Sequence, residues 1–200
     1  MIQLLMDTSN QYLMVALYQD DTLLDKIQES GCKRQSENAI PYLEQLLSKH
    51  KLSLLDVDEM VITRGPGSYT GVRVAMTIAK TLNVIHPISV KVVSSLASYT
   101  TDDKCISVID ARSNKVFIGM YNHDALIGNE SMITFDEAKQ FIDEHKDYKL
   151  VGQVTLFDQD EQVVDLAENM HRIAKKTSSI EVVDALVPTY LKDVEAKKIC

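Results

Sequence analysis

The stretch Arg64-Gly65-Pro66-Gly67-Ser68-Tyr69-Thr70-Gly71-Val72-Arg73 decides the fold, because it joins a strand to a helix through a tight turn. The apolar run of residues 60–63 before it has the character of a short strand, and apolar residues recur at helical spacing from Val72 to Leu82. Glycine permits backbone angles that a β-carbon forbids, and Ser68 or Thr70 can cap the helix. The spacing matches neither the P-loop nor the dinucleotide fingerprint. It therefore indicates a well-capped turn whose helix end could hold an anion.

An internal repeat extends this pattern to the whole chain. Sliding the sequence by 103 positions places residues 5–9 over residues 108–112, and residues 13–18 over residues 116–121. Each copy has an apolar strand that ends in aspartate, a polar turn, and a second apolar strand that ends in tyrosine. Two copies of one pattern predict two similar lobes, because a solenoid would need at least three repeats. We expect an N-terminal lobe over residues 1–103 and a C-terminal lobe over residues 104–200.

Composition narrows the class of protein. The chain has 200 residues, 45% of them hydrophobic, and a formal net charge of −8. That charge disfavours direct nucleic-acid binding by the chain alone, because phosphate neutralisation needs a dense basic face.

The cysteines indicate the redox environment. The chain has an odd number of cysteines, Cys32, Cys105 and Cys200, and they lie far apart, which predicts free thiols in a reducing cytoplasm. No stretch has the length of a membrane span, and none at the start has the character of a signal peptide.

The order of elements predicts the fold class. The first half has the order β-β-β-α-β-α-β, and the second half begins in the same way, with Thr134 opening a capped helix. A further helix is predicted over residues 162–175, with Val163 on its inner face. This is an α/β protein that resembles the actin-like ATPase (ASKHA) superfamily, with two ribonuclease-H-like lobes. The resemblance implies a mixed five-stranded sheet with flanking helices in each lobe.

Five motifs together carry a closer resemblance. They are Asp7-Thr8-Ser9, Arg34-Gln35-Ser36-Glu37, the glycine-rich turn, Asp110-Ala111-Arg112 and Pro188-Thr189-Tyr190-Leu191. With them the chain resembles the TsaB family of bacterial tRNA threonylcarbamoyladenosine biosynthesis proteins over nearly its whole length. The turn is the most specific part, since the family usually has G-P-G-S-F-T-G-V-R there.

The resemblance implies a role in modifying adenosine 37 of tRNAs that read codons starting with A. In that family the chain would be a catalytically inactive paralogue that dimerises with TsaD and activates it, together with the ATPase TsaE. It would form a homodimer when alone, contact tRNA only indirectly, stay off membranes and act in the cytoplasm. No tightly bound cofactor is expected, although ATP or ADP could occupy the interface of the complex.

Two other functions remain as alternatives, an actin-like small-molecule kinase and a metallopeptidase. TsaD holds its metal with two histidines, and this chain has Ser95 and Tyr99 at the corresponding positions. Neither is a credible ligand for a transition metal, and the five histidines are scattered without a ligand motif. We therefore predict no metal site and no catalytic residue.

Candidates for weak nucleotide contact follow from the actin-like pattern, in which aspartates at strand ends hold magnesium. They are Asp7, Thr8, Ser9, Gly65, Gly67 and Asp110. The same aspartates could instead close turns, or pair with Arg64, Arg73 or Arg112.

The partner interface is predicted on two helices of the first lobe. Gly71, Ala75 and Ala79 recur every four residues, and such small side chains allow another helix to approach closely. They could equally pack on the chain's own sheet, and the family resemblance favours docking. The full predicted set is Ser36, Ala39, Ile40, Leu43, Leu47, Gly71, Val72, Ala75, Met76 and Ala79.

Overall fold

The computed structural model describes residues 1–31 and 34–191, which form two β-sheets with helices on their faces. Cys32, Cys200 and the rest of residues 192–200 lie outside the described residues. Cys105 is buried and its thiol is free.

The first sheet has five strands in the spatial order β3-β2-β1-β4-β5. They are β1 (Ile2–Asp7), β2 (Tyr12–Gln19), β3 (Thr22–Ser30), β4 (Glu59–Thr63) and β5 (Ser89–Val93). Antiparallel pairing joins β1 to β2 and β2 to β3, whereas β1, β4 and β5 run parallel. The parallel strands need crossover helices between them, which explains why this half of the chain alternates between strand and helix.

The second sheet repeats this order with one strand fewer. Its strands are β6 (Lys104–Arg112), β7 (Lys115–Asn122), β8 (Ala125–Thr134) and β9 (Lys149–Gly152), in the order β8-β7-β6-β9. The antiparallel meander followed by a parallel strand confirms the repeat of 103 positions. The expectation of five strands in each sheet is wrong for this one, because the described residues after β9 form helices and turns and no further strand.

The described residues contain four α-helices that pack with the sheets. They are α1 (Gln35–Lys49), α2 (Tyr69–Ile85), α3 (Phe135–Glu144) and α4 (Leu166–Ala174). The predicted capping box of α3 is present, with Thr134 and Glu137 bonding to each other's backbone. Helix α4 begins later than predicted because the Asp165 side chain accepts the N–H of Glu168 at 3.1 Å and caps the helix there. Val163, predicted on its inner face, lies before the helix and is fully exposed.

The core is arranged in layers. Helices α1 and α2 cover one face of the first sheet, and α3 covers the outer face of the second. The remaining apolar cluster joins the other face of the first sheet, helix α4 and the facing side of the second sheet. Helix α4 therefore lies between the sheets although it belongs to the second half of the sequence. The described part of the predicted second lobe thus shares an apolar cluster with the first sheet.

Candidate functional site

The glycine-rich turn lies against the loop between β1 and β2. The N–H of Ser68 donates to the carbonyl oxygen of Ser9 at 2.8 Å. A β-carbon at Gly67 would lie 2.4 Å from that same oxygen, and one at Gly71 would lie 2.0 Å from the carbonyl oxygen of Thr8. The glycines therefore allow the turn to approach the chain's own backbone.

Thr8 holds the first turn of α2 through its side chain. Its buried hydroxyl donates to the carbonyl oxygen of Gly71 at 2.6 Å and accepts the N–H of Ala75 at 3.3 Å. Ser68 caps the same helix, with its hydroxyl oxygen 3.3 Å from the N–H of Gly71. The Asp-Thr-Ser motif and the glycine-rich turn thus form one packed unit.

Asp7 is sealed beneath this unit. One carboxylate oxygen accepts the N–H of Ser9 at 2.7 Å and the hydroxyl of Thr63 at 2.6 Å. The other oxygen is buried without a hydrogen-bond partner among residues 1–31 and 34–191. Burial raises the pKa of Asp7 above its ordinary value, against the lowering effect of these hydrogen bonds. The carboxylate is therefore placed to close a turn, and solvent does not reach it.

A polar cleft of about 460 Å³ lies above the turn, between the two lobes. Of the six residues predicted for nucleotide contact, Ser9, Gly67 and Asp110 border it, whereas Asp7, Thr8 and Gly65 do not. Gly65, at φ +100°, instead faces the carbonyl oxygen of Thr189, which a β-carbon would approach to 2.8 Å. The cleft brings together half of the predicted set.

Asp110 is the exposed acid in this cleft. Its carboxylate accepts the N–H of Arg112 at 2.7 Å, and its own N–H donates to the side chain of Gln153 at 2.6 Å. No ion pair of Asp7 or Asp110 with an arginine occurs among the described residues. Each of these two carboxylates instead accepts a backbone N–H two residues further along the chain, as expected for an aspartate that closes a turn.

Tyr69, Arg73 and Tyr190 form an exposed cluster at the edge of the cleft. The tyrosine rings stack with centroids 5.8 Å apart, and the Arg73 guanidinium lies 4.3 Å from the centre of the Tyr69 ring. The Arg73 Nε donates to the Tyr190 hydroxyl at 3.0 Å. This cluster, which the sequence did not predict, ties the Pro-Thr-Tyr-Leu motif to the start of α2.

Ser95 and Tyr99, which the family resemblance aligns with metal-binding histidines, are both buried. Within the described part of the chain neither hydroxyl has a hydrogen-bond partner. Burial raises the pKa of Tyr99 well above its ordinary value, and the nearby Asp7 charge adds to the effect. The described residues contain no group of three or more histidine, cysteine, aspartate or glutamate side chains that could hold a metal ion.

The predicted docking stripe faces inward. Gly71, Ala75 and Ala79 are buried against the chain's own sheet, as the alternative interpretation held. The same is true of Ala39, Leu43, Leu47, Val72 and Met76. Of the ten predicted interface residues only Ser36 and Ile40 are exposed, so the stripe is corrected to a core surface.

The outer side of the same two helices carries an apolar groove of about 500 Å³. Its walls come from α1, α2 and the segment after α1, which includes a 3₁₀ turn at Leu54–Asp56. Ile40 and Ile85 are 51% and 61% exposed there, although both are large and apolar. The groove is lined by Ile40, Leu43, Glu44, Leu47, Ser48, Leu52, Ser53, Leu54, Thr77, Ile78, Thr81, Leu82 and Ile85. We call this surface the α1–α2 groove.

Sequence reasoning found three groove residues, Ile40, Leu43 and Leu47, and missed the side contributed by α2. Ile78 and Ile85 are seven residues apart and therefore lie on one face of that helix. That spacing was visible in the sequence, but the small-residue repeat on the adjacent, buried face drew the prediction to that face. None of the helices in residues 1–31 and 34–191 is long and apolar enough to cross a membrane.

Comparisons with known proteins point to families that share one tRNA modification, threonylcarbamoylation of adenosine. The model of the family described as TsaD, tRNA N6-adenosine threonylcarbamoyltransferase, matches residues 28–181. The tRNA threonylcarbamoyladenosine biosynthesis protein TsaB of Bacillus subtilis is 37% identical over 125 residues, which cover 60% of this chain and 55% of that protein. Its Escherichia coli counterpart is 29% identical over 129 residues, with the same two shares. The chain thus spans little more than half the length of these two relatives.

A solved structure agrees over a longer range. YeaZ from Pseudomonas aeruginosa superimposes with a TM-score of 0.75 and 23% identity, covering 95% of this chain and 99% of that one. At that identity the likeness establishes the fold alone. Together with the match to the TsaD family model, it supports a fold of the actin-like ATPase type.

Proposed function

Because the chain belongs to the TsaD family of tRNA N6-adenosine threonylcarbamoyltransferases, with TsaB proteins among its relatives, we propose that it serves threonylcarbamoyladenosine formation in tRNA. Its part is that of a non-catalytic subunit, which dimerises with a TsaD-type protein and activates it together with TsaE. The substrate would be adenosine 37 of tRNAs that read codons starting with A, and the partner would hold that tRNA.

The α1–α2 groove is the observation that carries this proposal. Large apolar side chains exposed in a contiguous patch mark a surface that another protein covers. Ile40, Ile78 and Ile85 project from two neighbouring helices into one depression, which fits the apolar face of partner helices. The docking prediction therefore keeps its two helices and changes the face that binds.

The state of Asp7 supports a non-catalytic role. An actin-like kinase needs an accessible carboxylate for the metal that accompanies the nucleotide phosphates. Here both hydrogen bonds to Asp7 come from its own surroundings and the side chain is buried. We therefore rank the kinase below the partner role, and the metallopeptidase lower still.

The polar cleft supports a weaker statement about nucleotides. Its size and its border of Ser9, Gly67 and Asp110 suit weak contact with ATP or ADP in the assembled complex, without a tightly bound cofactor in the isolated chain. A cytoplasmic location, a homodimer in the absence of the partner and indirect contact with tRNA complete the proposal.

Pull-down and titration calorimetry with a purified TsaD-type protein test the docking surface. Ile40→Asp and Ile85→Asp each place a charge among the side chains that line the groove and should abolish pairing, because an unpaired buried charge is strongly unfavourable. Both residues are exposed in the isolated chain, so the variants should remain folded. Val84→Asp is the matched control, since Val84 is also exposed on α2 but does not line the groove.

The proposal fails if the folded groove variants bind the TsaD-type protein as tightly as the parent chain does. It also fails if Val84→Asp weakens binding equally, because the effect would then be one of added charge and not of position.

A further inference from the structure

Two side chains of opposite charge lie at the α1–α2 groove. Glu44 lines the groove on α1. Lys51 lies in the turn after α1, between Ser48 and Leu52 in the sequence, and both of those residues line the groove. Glu44 and Lys51 are exposed, and neither has an ion pair within the described part of the chain. An acid and a base are therefore available to an occupant of the groove.

The two charges lie on either side of Ser48, a small and exposed residue. Glu44 precedes it by four residues and Lys51 follows it by three, which separates the charges by about 10 Å along the direction of α1. Two exposed apolar side chains of the groove are divided in the same way, with Ile40 on the side of Glu44 and Leu54 on the side of Lys51. Each side of Ser48 thus complements the other in charge and matches it in apolar character.

Such a surface suits a two-fold dimer. In a two-fold dimer each contact occurs twice, because the same patch is used on both copies with its direction reversed. With the two α1 helices antiparallel across Ser48, Glu44 of each copy meets Lys51 of the other. Ile40 of each copy then meets Leu54 of the other, and these apolar side chains are removed from water.

We propose that the α1–α2 groove binds a second copy of this chain in that arrangement, with Ser48 at the two-fold axis and a Glu44–Lys51 pair on each side of it. The inference rests on the proposed docking function and adds the register of the homodimer. The small side chain of Ser48 allows the helices to approach closely where they cross. The two ion pairs fix the orientation of the copies, because a wrong register would bring like charges together.

Charge reversal in the full chain tests the two ion pairs. Glu44→Lys and Lys51→Glu each bring like charges together twice in the dimer and should weaken self-association about tenfold. The double variant Glu44→Lys/Lys51→Glu exchanges the charges and should return the dissociation constant to within about threefold of the parent value. Glu144→Lys makes the same change of charge at an exposed position of α3, outside the groove, and should have no effect. Analytical ultracentrifugation measures each dissociation constant.

The size of the side chain at Ser48 tests the position of the axis. Ser48→Tyr should weaken self-association by at least about tenfold, because each bulky ring would meet its own counterpart at the crossing point. Gln45→Tyr is the matched control, since Gln45 is also exposed on α1 but does not line the groove. Both positions are exposed, so the variants should remain folded, which circular dichroism checks.

The inference is contradicted if the parent chain stays monomeric, if the double charge variant associates no better than the single variants, or if Ser48→Tyr associates as the parent does. Ile40→Asp separates this result from the docking proposal. If Ile40→Asp abolishes binding of the TsaD-type protein while the double variant restores nothing, docking survives and only the homodimer register is wrong. If Ile40→Asp leaves that binding unchanged, the docking proposal is wrong and the inference falls with it.

Discussion

At the scale of single residues, the glycine-rich turn packs closely against the backbone of its own chain. Gly67 and Gly71 lie where a β-carbon would collide with the backbone of Ser9 and Thr8. The sequence predicted a close approach at this turn and left its partner open. The partner is the Asp-Thr-Ser loop of the same chain, about sixty residues away.

Gly71→Ala should therefore destabilise the fold. Backbone atoms stand in the way of the new methyl group, so α2 must move away from β1, and such overpacking costs at least about 2 kcal/mol. Urea unfolding followed by circular dichroism measures the change. Thr70→Ala, at the exposed neighbouring position, should stay within about 0.5 kcal/mol of the parent chain. Equal stability of the two variants would show that the turn has room to relax.

Asp7→Asn should leave the protein at least as stable as the parent chain at pH 7. Burial raises the pKa of Asp7, so the folded state holds its proton to higher pH than the unfolded chain does. The stabilising contribution of the protonated group is complete below the ordinary pKa of about 3.9 and is lost as the pH rises through the folded-state value. The amide has the same shape and carries no charge, so it removes this loss.

Urea unfolding of both proteins at several pH values from 4 to 7 checks this expectation. The difference in unfolding free energy should grow in favour of Asp7→Asn as the pH rises. A variant that becomes less stable relative to the parent chain as the pH rises would mean that the ionised carboxylate supports the fold.

At the scale of elements, helix α4 connects the two sheets. Its Arg172 donates to both carboxylate oxygens of Asp124, which lies in the turn between β7 and β8, and also to the carbonyl oxygen of Thr100. Asp124 also contacts Lys176, and its side chain is only 3% exposed. This cluster attaches the second sheet to a helix that packs on the first.

Arg172→Ala should weaken that attachment by about 2–3 kcal/mol, because charge-assisted hydrogen bonds to a buried carboxylate are lost. Hydrogen exchange should rise in α4 and in the β7–β8 turn. Lys175→Ala is the control on the same helix, since its ion pair with Asp21 is exposed and contributes little. Similar effects from both variants would contradict the special role of the Arg172 cluster.

Local sequence patterns predicted most of the strands and helices. They failed where packing against distant residues determines which face of a helix is buried or where a helix begins. The succession of strands and helices along the chain, the repeat and the capping of α3 followed from alternation, spacing and cap residues. The small-residue stripe of α2 was assigned to the wrong face, because glycine and alanine suit close packing on a sheet and on a foreign helix equally well. The start of α4 and its position between the sheets depend on contacts with distant residues, which no local period reveals.

At the scale of the whole molecule, a cleft with polar side chains along its border lies between the two lobes. Asp7 lies beneath this cleft and is buried. The outer face of the first lobe carries the exposed apolar groove instead. The family resemblance predicted weak nucleotide contact near this cleft and docking through α1 and α2, but most of the residues predicted for docking are buried in the core. These two features lead to the central claim that the chain acts by binding a partner and not by catalysis of its own.

Formation of threonylcarbamoyladenosine in tRNA, measured by mass spectrometry of digested nucleosides, tests that claim most directly. With tRNA and the threonylcarbamoyl-adenylate intermediate, the chain alone should yield no product, and a TsaD-type protein with TsaE should need the chain for full activity. Ile40→Asp should lose this stimulation in step with lost binding, whereas Val84→Asp should keep it. Product formed by the chain alone, in a preparation shown to be free of TsaD-type protein, would contradict the account and make Asp110 and the cleft catalytic candidates.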